Sequence, residues 1–144
     1  MLQFVLLALV AVSGLFGGDG IGAGMTGMGS LAGLALMLAG AALLGRGLID
    51  LGANLTPVPR PRDDSQLVES GVYALVRHPL YGGLTLTAFG WSLVVSSLLT
   101  LLLAIGLAAF FTLKSRREEA WLLARYPGYA AYMRRTRRLI PWLY

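Results

Sequence analysis

Three long apolar runs, separated by short polar segments, dominate the pattern of this chain. Residues 2–16 and 28–49 are nearly free of charge, and residues 79–113 form one run of 35 uncharged residues. A single helix of that length would measure about 52 Å, whereas the hydrocarbon core of a bilayer is about 30 Å thick. We therefore expect the third run to fold back as a helical hairpin that turns near Ser96 and Ser97.

The pattern predicts an all-α polytopic membrane protein with about four transmembrane helices, the last two forming a tight hairpin, and a C-terminal interfacial helix. Leu122, Tyr126 and Tyr129 recur at helical spacing, so the last span is expected to continue into that interfacial helix. Residues 2–16 would give a first span of only about 22 Å. A cleaved signal peptide is the alternative for residues 1–18, but the absence of a basic amino-terminal region favours a retained helix.

Glycines are frequent inside the second predicted helix. Gly29 and Gly33 form a G-x-x-x-G pair, and further glycines follow at positions 40, 45 and 47. Such spacing lets helix backbones approach closely in lipid, either within one bundle or across a dimer interface. We favour packing within the bundle.

Composition supports the membrane assignment and excludes several kinds of catalytic and structural site. The chain has 144 residues, of which 56% are hydrophobic and only 13% charged. It has no cysteine and one histidine, which excludes disulfides and thiolate catalysis and leaves little for a metal site. We expect no metal.

The basic residues are distributed asymmetrically. All twelve lie in the second polar loop, in the carboxyl tail or at the helix ends bordering them: Arg46, Arg60, Arg62, Arg77, Lys114, Arg116, Arg117, Arg125, Arg134, Arg135, Arg137 and Arg138. The positive-inside rule then places both termini and the second loop in the cytoplasm, in a bacterial or archaeal cytoplasmic membrane. Because the arginine-rich tail follows an apolar hairpin, its expected partner is anionic lipid and not nucleic acid.

The strongest candidate site lies in residues 71–83, which read G-V-Y-A-L-V-R-H-P-L-Y-G-G and hold the single histidine, His78. Pro79 disfavours helix at His78 and suits the first turn of a helix starting at about Leu80. The unpaired N–H groups of that helix start favour an anion such as a carboxylate. Tyr73 and Tyr81 offer hydroxyl groups, or a ring face for a cation. The alternative is a helix-start histidine satisfied by the backbone.

A second polar cluster follows the hairpin. Glu118 and Glu119 are adjacent and lie among Lys114, Arg116 and Arg117. Taken alone, this pattern is typical of a solvated network of salt bridges.

Together the two clusters resemble a known family. The pattern G-x-Y-x-x-x-R-H-P-x-Y-x-G, followed by E-E-x-x-L, a tyrosine-rich segment and R-x-I-P, resembles the isoprenylcysteine carboxyl methyltransferases and the related phospholipid methyltransferases over roughly residues 51–141. The apolar pattern predicts a single membrane domain in which residues 1–51 form an amino-terminal helical hairpin, and the resemblance implies that residues 52–144 bind S-adenosylmethionine and carry out catalysis. It implies cofactor contacts at Gln66, Leu67, Val68, Tyr73, His78, Pro79, Leu80, Tyr81 and Glu118.

The charged residues of the two clusters also indicate how the acceptor would be bound and deprotonated for methyl transfer. Arg77 and Arg117 are candidates for binding the acceptor or for structural anchoring. A carboxylate acceptor would need only a cation such as Arg117 or Lys114, whereas an amine acceptor would need a base, for which His78 and Glu119 are candidates. The predicted function is methylation of a lipophilic acceptor reached from the membrane. The alternative is a non-catalytic membrane scaffold with a structural ion-pair cluster and a lipid-binding basic tail.

Overall fold

The computed structural model describes residues 2–16, 27–52 and 67–141. They form five α-helices and one turn of 3₁₀ helix at Gly71–Ala74: α1 (Leu2–Phe16), α2 (Met28–Leu51), α3 (Pro79–Val94), α4 (Leu98–Arg125) and α5 (Tyr129–Arg135). These residues contain no β-strand, only an isolated parallel bridge between Val76 and Arg137. The predicted all-α class is confirmed, while Gln66 lies outside the described residues.

Two of the described helices, α2 with 24 residues and α4 with 28, are long and apolar enough to cross a membrane. Helices α1 and α3 have 15 and 16 residues and are shorter than a typical span. The count of four transmembrane helices therefore stays a prediction. Large apolar side chains such as Phe4, Leu31 and Leu102 are exposed on the outer faces of these helices.

The turn between α3 and α4 occupies Val95–Ser97, where the sequence placed the hairpin. Ser96 adopts a left-handed backbone conformation with φ of 51°. The Ser97 hydroxyl accepts a hydrogen bond from the Thr100 backbone N–H at 3.3 Å and so caps α4. The predicted helical hairpin is confirmed.

Helices α2 and α3 run antiparallel and touch through glycines. A Cβ atom added at Gly40 would lie 2.6 Å from the Gly83 carbonyl oxygen, and one added at Gly90 would lie 2.5 Å from that of Gly33. Such distances mean that the two backbones are in direct contact. Gly33 therefore packs within the bundle, as the sequence favoured.

Helix α1 packs on α4 and, less extensively, on α3. The Ser13 and Thr100 hydroxyls lie 2.9 Å apart at one end, and Lys114 Nζ donates a hydrogen bond to Gln3 Oε1 at the other, so α1 and α4 are antiparallel. The main apolar core lies between these polar pairs and comprises Val10, Ala88, Ala104, Leu107 and Phe111.

The last span continues as helix beyond the uncharged run, as predicted, but it does not continue through Tyr126 and Tyr129 into the C-terminal helix. Helix α4 ends at Arg125, and Tyr126 is extended, with φ of −113° and ψ of 110°. The cause is Pro127, because a residue before proline is disfavoured in the helical conformation. The C-terminal helix is α5, a separate element of seven residues.

Candidate active site

The candidate site lies at the end of the bundle where α3 begins and α4 approaches its end. The segment after α5 folds back along the residues before α3. The Arg77 and His78 backbone N–H groups donate to the carbonyl oxygens of Arg137 and Arg138 at 2.9 and 3.0 Å, and the Arg137 N–H donates to the Leu75 carbonyl at 2.9 Å. This pairing brings the carboxyl segment against the histidine motif.

His78 lies between the two glutamates. Its Nδ1 atom is 3.6 Å from Glu118 Oε2, and its Nε2 atom is 3.4 Å from Glu119 Oε1. The side chain is only 8% exposed, and Nε2 has no hydrogen-bond partner of suitable geometry within residues 2–16, 27–52 and 67–141. The backbone therefore does not satisfy this nitrogen, which counts against the alternative of a purely structural histidine.

Tyr81 connects the histidine motif to Glu118. Its hydroxyl donates to Glu118 Oε1 at 2.7 Å. Its ring stacks on His78 on one side, at 5.6 Å between ring centroids, and on Phe111 at 4.7 Å. Lys114 Nζ lies 4.9 Å from the centroid of the Tyr81 ring. Tyr81 is therefore held among an imidazole, an ammonium group and a carboxylate.

Glu119 is buried, and guanidinium groups occupy both its oxygens. Arg77 Nε donates to Oε1 at 2.7 Å, while Arg138 approaches Oε2 with Nη2 at 2.8 Å and Nε at 3.1 Å. Arg77 Nη1 also donates to the carbonyl oxygens of Met133 and Thr136, at 3.1 and 2.6 Å. Of the two roles predicted for Arg77, this geometry favours structural anchoring. It also makes Glu119 an anchor and a poor candidate for a base.

Arg117 is not brought into this cluster. It is exposed, and because it precedes Glu119 by two residues it lies on roughly the opposite face of α4. Lys114, one helical turn before Glu118, is the cation that α4 presents to the site. The expected role of Arg117 in acceptor binding is therefore not supported by its position.

Tyr73 is also turned away from His78. Its hydroxyl faces the Gly47 carbonyl oxygen of α2 at 3.4 Å, and its own carbonyl accepts a hydrogen bond from the Tyr132 hydroxyl at 2.6 Å. Burial raises the pKa of Tyr73 to about 12, so the hydroxyl remains protonated near neutral pH. Its role in this structure is to join the 3₁₀ turn to α2 and α5.

The other predicted cofactor contacts surround the same end of the bundle. Pro79 occupies the first turn of α3 and packs with Leu80 against Gly47, which places the start of the helix one residue earlier than expected. Leu67 and Val68 are half-buried. The next residue, Glu69, pairs with Arg135 of α5.

Three residues near the site were not assigned by sequence reasoning. Arg138 is the arginine of the R-x-I-P pattern, and that pattern is the one sequence feature that could have pointed to it. Its ion-pair partner Glu119 lies on α4, in a different part of the sequence. Thr136 accepts hydrogen bonds from Arg77 through its carbonyl and hydroxyl oxygens. Asp50 accepts from the Val72 N–H at 2.7 Å and lies against Gly71, whose φ is +61°. Asp50 thereby joins the end of α2 to the histidine motif.

Comparison with known proteins identifies the family. Residues 28–128 match the family model described as phospholipid methyltransferase. The chain belongs to the phospholipid methyltransferase family. The fold agrees: a solved structure of the eukaryotic intramembrane Ras methyltransferase ICMT, isoprenylcysteine carboxyl methyltransferase, superimposes with a TM-score of 0.78 at 24% identity, covering 94% of this chain and 52% of that one.

Two curated relatives share shorter segments with this member of the phospholipid methyltransferase family. The cobalt-zinc-cadmium resistance protein CzcN of Cupriavidus metallidurans is 37% identical over 83 residues, covering 57% of this chain and 38% of the relative. The protein-S-isoprenylcysteine O-methyltransferase of Schizosaccharomyces pombe is 35% identical over 80 residues, covering 54% and 34%. The chain thus spans less than two fifths of the length of these relatives. The predicted family resemblance is confirmed, and the chain is an integral membrane protein.

Proposed function

We propose that this chain is an S-adenosylmethionine-dependent methyltransferase acting on a lipophilic acceptor, a carboxylate or an amine, that enters from the bilayer. The observation that carries the proposal is the meeting of two motifs far apart in sequence. His78 and Tyr81 of the histidine motif both approach Glu118, which follows the hairpin, at 3.6 and 2.7 Å. Membership of the phospholipid methyltransferase family supports the reaction class.

The groups around His78 fit parts of the cofactor. Glu118 Oε2 faces His78 without a hydrogen bond, which leaves it able to accept from the ribose diol or the ammonium group of S-adenosylmethionine. The Tyr81 ring is already stacked on His78 and Phe111, so Tyr81 would meet the cofactor through the hydroxyl that it holds against Glu118 and not through a ring face. Leu67, Val68 and Leu80 would enclose the adenine. Residues 52–144 would therefore contain the cofactor site, as the resemblance implies.

The expected placement of the cofactor's carboxylate beside His78 needs revision. Glu118 and Glu119 flank the imidazole; Arg77 and Arg138 neutralise Glu119, but a further carboxylate beside His78 would still meet the like charge of Glu118. The Arg138 carbonyl oxygen also accepts a hydrogen bond from the His78 backbone N–H, so this N–H at the start of α3 is not available to an anion. We propose that the ammonium or diol end of the cofactor lies against Glu118 Oε2, which faces the imidazole without a hydrogen bond.

The reaction would depend more on the alignment of methyl donor and acceptor than on a nucleophilic side chain. S-adenosylmethionine would supply a methyl group already activated as a sulfonium substituent. The chain's own residues would hold donor and acceptor in line and exclude water. For a carboxylate acceptor, Lys114 is the cation in position. For an amine acceptor, His78 is the candidate base, with its imidazole between Glu118 and Glu119.

We also propose that the site faces the cytoplasm. Helices α2 and α4 end, and α1 and α3 begin, on the side where Arg46, Arg77, Lys114 and Arg138 lie. Positive residues concentrated at one end of a helical bundle favour the cytoplasmic side. Modification of single cysteines, introduced at Arg134 and at Leu98, by an impermeant maleimide in intact cells would test this orientation.

Binding of S-adenosylmethionine to the detergent-solubilised protein, measured by calorimetry, tests the function. We expect His78→Ala and Glu118→Gln each to weaken binding by roughly tenfold or more, since the first removes the imidazole and the second removes the negative charge and one acceptor oxygen at the cofactor. Arg134→Gln, at an exposed residue of α5, is the control and should bind as the wild type does. Absence of binding by the wild type at millimolar cofactor, or normal binding by both variants, would contradict the proposal and favour the scaffold alternative.

The class of acceptor needs a separate experiment. Membranes from the producing cell are incubated with the protein and with cofactor carrying a deuterated methyl group, and lipids are then examined by mass spectrometry. Mild base releases the labelled methyl group from a carboxyl ester but not from a methylated amine, so base treatment of the labelled product distinguishes the two acceptors. A labelled product that forms in equal amount with the Glu118→Gln variant at subsaturating cofactor would point to a contaminating activity.

A further inference from the structure

The carboxylate of S-adenosylmethionine has no suitable partner at His78. The charge of Glu118 repels an anion there, and the Arg138 carbonyl oxygen occupies the His78 backbone N–H. In the amino-acid end of the cofactor, the carboxylate and the ammonium group are attached to the same carbon. If the ammonium group lies against Glu118, a cation for the carboxylate must therefore lie close to Glu118.

Lys114 is the cation in that position. It precedes Glu118 by four residues on α4, so the two side chains lie on the same face of the helix, with Cβ atoms about 5–6 Å apart. Lys114 Nζ lies 4.9 Å from the centroid of the Tyr81 ring, and the hydroxyl of that ring donates to Glu118 Oε1 at 2.7 Å. The ammonium group of Lys114 and the carboxylate of Glu118 thus adjoin the same tyrosine.

The two opposite charges are held by other contacts. In the described part of the chain, no ion pair joins Lys114 to Glu118. Lys114 Nζ instead donates to Gln3 Oε1 of α1, and Glu118 accepts from the Tyr81 hydroxyl. Opposite charges that lie side by side without pairing fit a zwitterion, whose ammonium group meets the carboxylate and whose carboxylate meets the ammonium group.

The neighbouring arginines do not offer the same contact. Arg77 and Arg138 bind the two oxygens of Glu119, and Arg117 lies on roughly the opposite face of α4. The ammonium group of Lys114 has three donors, and one of them is used in the hydrogen bond to α1. Donors therefore remain for the carboxylate of the cofactor and for an anionic acceptor.

We propose that Lys114 binds the carboxylate of S-adenosylmethionine, that Glu118 binds its ammonium group, and that Gln3 positions Lys114 for this contact. The inference rests on the proposed function, to which it adds the contacts of the amino-acid end of the cofactor. Neither Lys114 nor Gln3 is among the cofactor contacts that the resemblance implies, and Gln3 precedes residues 28–128, which match the family model. Helix α1 therefore contributes a positioning residue to the site.

Calorimetry with three related ligands in detergent tests the two charged contacts. Decarboxylated S-adenosylmethionine lacks the carboxylate, whereas methylthioadenosine lacks the whole amino-acid end and keeps the ribose diol. We expect Lys114→Gln to lower the affinity for S-adenosylmethionine roughly tenfold and not to lower that for the decarboxylated cofactor. Glu118→Gln should lower the affinity for both of these ligands and leave that for methylthioadenosine unchanged.

Two further variants control for charge and for folding. Arg117→Gln removes one positive charge from the same helix at an exposed position, so it should bind all three ligands as the wild type does. Lys114→Arg keeps the charge and should retain most of the affinity for S-adenosylmethionine. Normal binding of the decarboxylated cofactor by Lys114→Gln would itself show that this variant is folded.

The positioning role of Gln3 is tested with the same ligands. Gln3→Leu removes the acceptor of the Lys114 hydrogen bond and should lower the affinity for S-adenosylmethionine about threefold, with that for the decarboxylated cofactor unchanged. Gln3→Glu should lower it further, because a carboxylate at this position pairs with Lys114 and competes with that of the cofactor. Equal losses for the two ligands would show that Gln3 has only a structural role.

The remaining outcomes separate this inference from the proposed function. Equal loss of both ligands in Lys114→Gln, or its normal binding of S-adenosylmethionine, would overturn the assignment of Lys114. Weaker binding of methylthioadenosine by Glu118→Gln would assign Glu118 to the ribose diol and overturn its assignment to the ammonium group. In these cases the wild type still binds the cofactor and the proposed function stands. Absence of binding by the wild type would refute the proposed function and the inference with it.

Discussion

The two antiparallel helix pairs of this bundle are held together by different means. The α2–α3 pair is a backbone contact through Gly33, Gly40, Gly83 and Gly90. The α1–α4 pair is a contact of side chains, with a polar pair at each end and apolar residues between. Lipid offers little hydrophobic driving force between helices, so close backbone packing and interhelical hydrogen bonds are the two means available. There is no room for an added side-chain atom between α2 and α3, whereas an apolar groove lined by Leu7, Met37 and Trp91, among others, lies between α1 and the α2–α3 pair.

The two pairs are joined at the site end by the ion cluster of Arg77, Glu119 and Arg138. Glu119 belongs to α4, Arg77 directly precedes the start of α3, and Arg138 belongs to the carboxyl segment. The site therefore depends on both helix pairs, because it combines residues of α4 with residues at the start of α3. Each prediction below alters one of these three connections.

The largest expected effect is at the junction itself. Glu119→Gln leaves the guanidinium groups of Arg77 and Arg138 without a counter-charge in a mostly buried position, which should lower the free energy of unfolding by about 3 kcal/mol. The measurement is SDS-induced unfolding followed by circular dichroism.

Glu118→Gln is the matched control, since it makes the same change one residue earlier. It weakens the hydrogen bond from Tyr81 and should cost about 1 kcal/mol. Equal destabilisation by the two variants would show that Glu119 is not the structural member of the pair. A large loss of cofactor binding with little loss of stability is expected only for Glu118→Gln.

The glycine contact should show the next largest effect. In Gly83→Ala the added Cβ would lie 2.6 Å from the Gly40 carbonyl oxygen, so α2 and α3 must separate, at a cost of about 2 kcal/mol. The same unfolding assay measures it. Gly45→Ala is the control, because a Cβ there meets nothing within 4 Å and alanine favours helix by up to about 1 kcal/mol. A stable Gly83→Ala protein would mean that the two backbones are not in contact.

Much of this arrangement follows from local sequence signals. The length of the uncharged run required a hairpin near Ser96, Pro79 required a helix start, and the paired motifs implied that His78 and Glu118 would meet. Two local signals conflict after Arg125: the helical spacing of Leu122, Tyr126 and Tyr129 predicts a longer α4, whereas Pro127 disfavours helix at Tyr126, and the proline prevails.

The remaining features depend on long-range pairing that no local pattern encodes. Arg138 reaches Glu119 only because the carboxyl segment pairs with residues 75–78. The face of α4 that meets α3 decides that Lys114, and not Arg117, lies at the site. The resemblance supplied the list of residues, but the separation of structural anchors such as Arg77 from residues available to a ligand required the three-dimensional contacts.

The smallest effect is expected in the side-chain pair. Ser13→Ala removes the hydrogen bond to Thr100, where the two hydroxyls lie 2.9 Å apart, and should cost about 1 kcal/mol. Ser13→Ala combined with Thr100→Val should cost less than the sum of the two single changes, because Ser13→Ala alone leaves the buried Thr100 hydroxyl without its partner, a penalty that the double change avoids. SDS unfolding of the four proteins gives the coupling energy. Strict additivity would show that the Ser13–Thr100 hydrogen bond adds no coupling energy, and that this end of the α1–α4 contact is held by apolar packing.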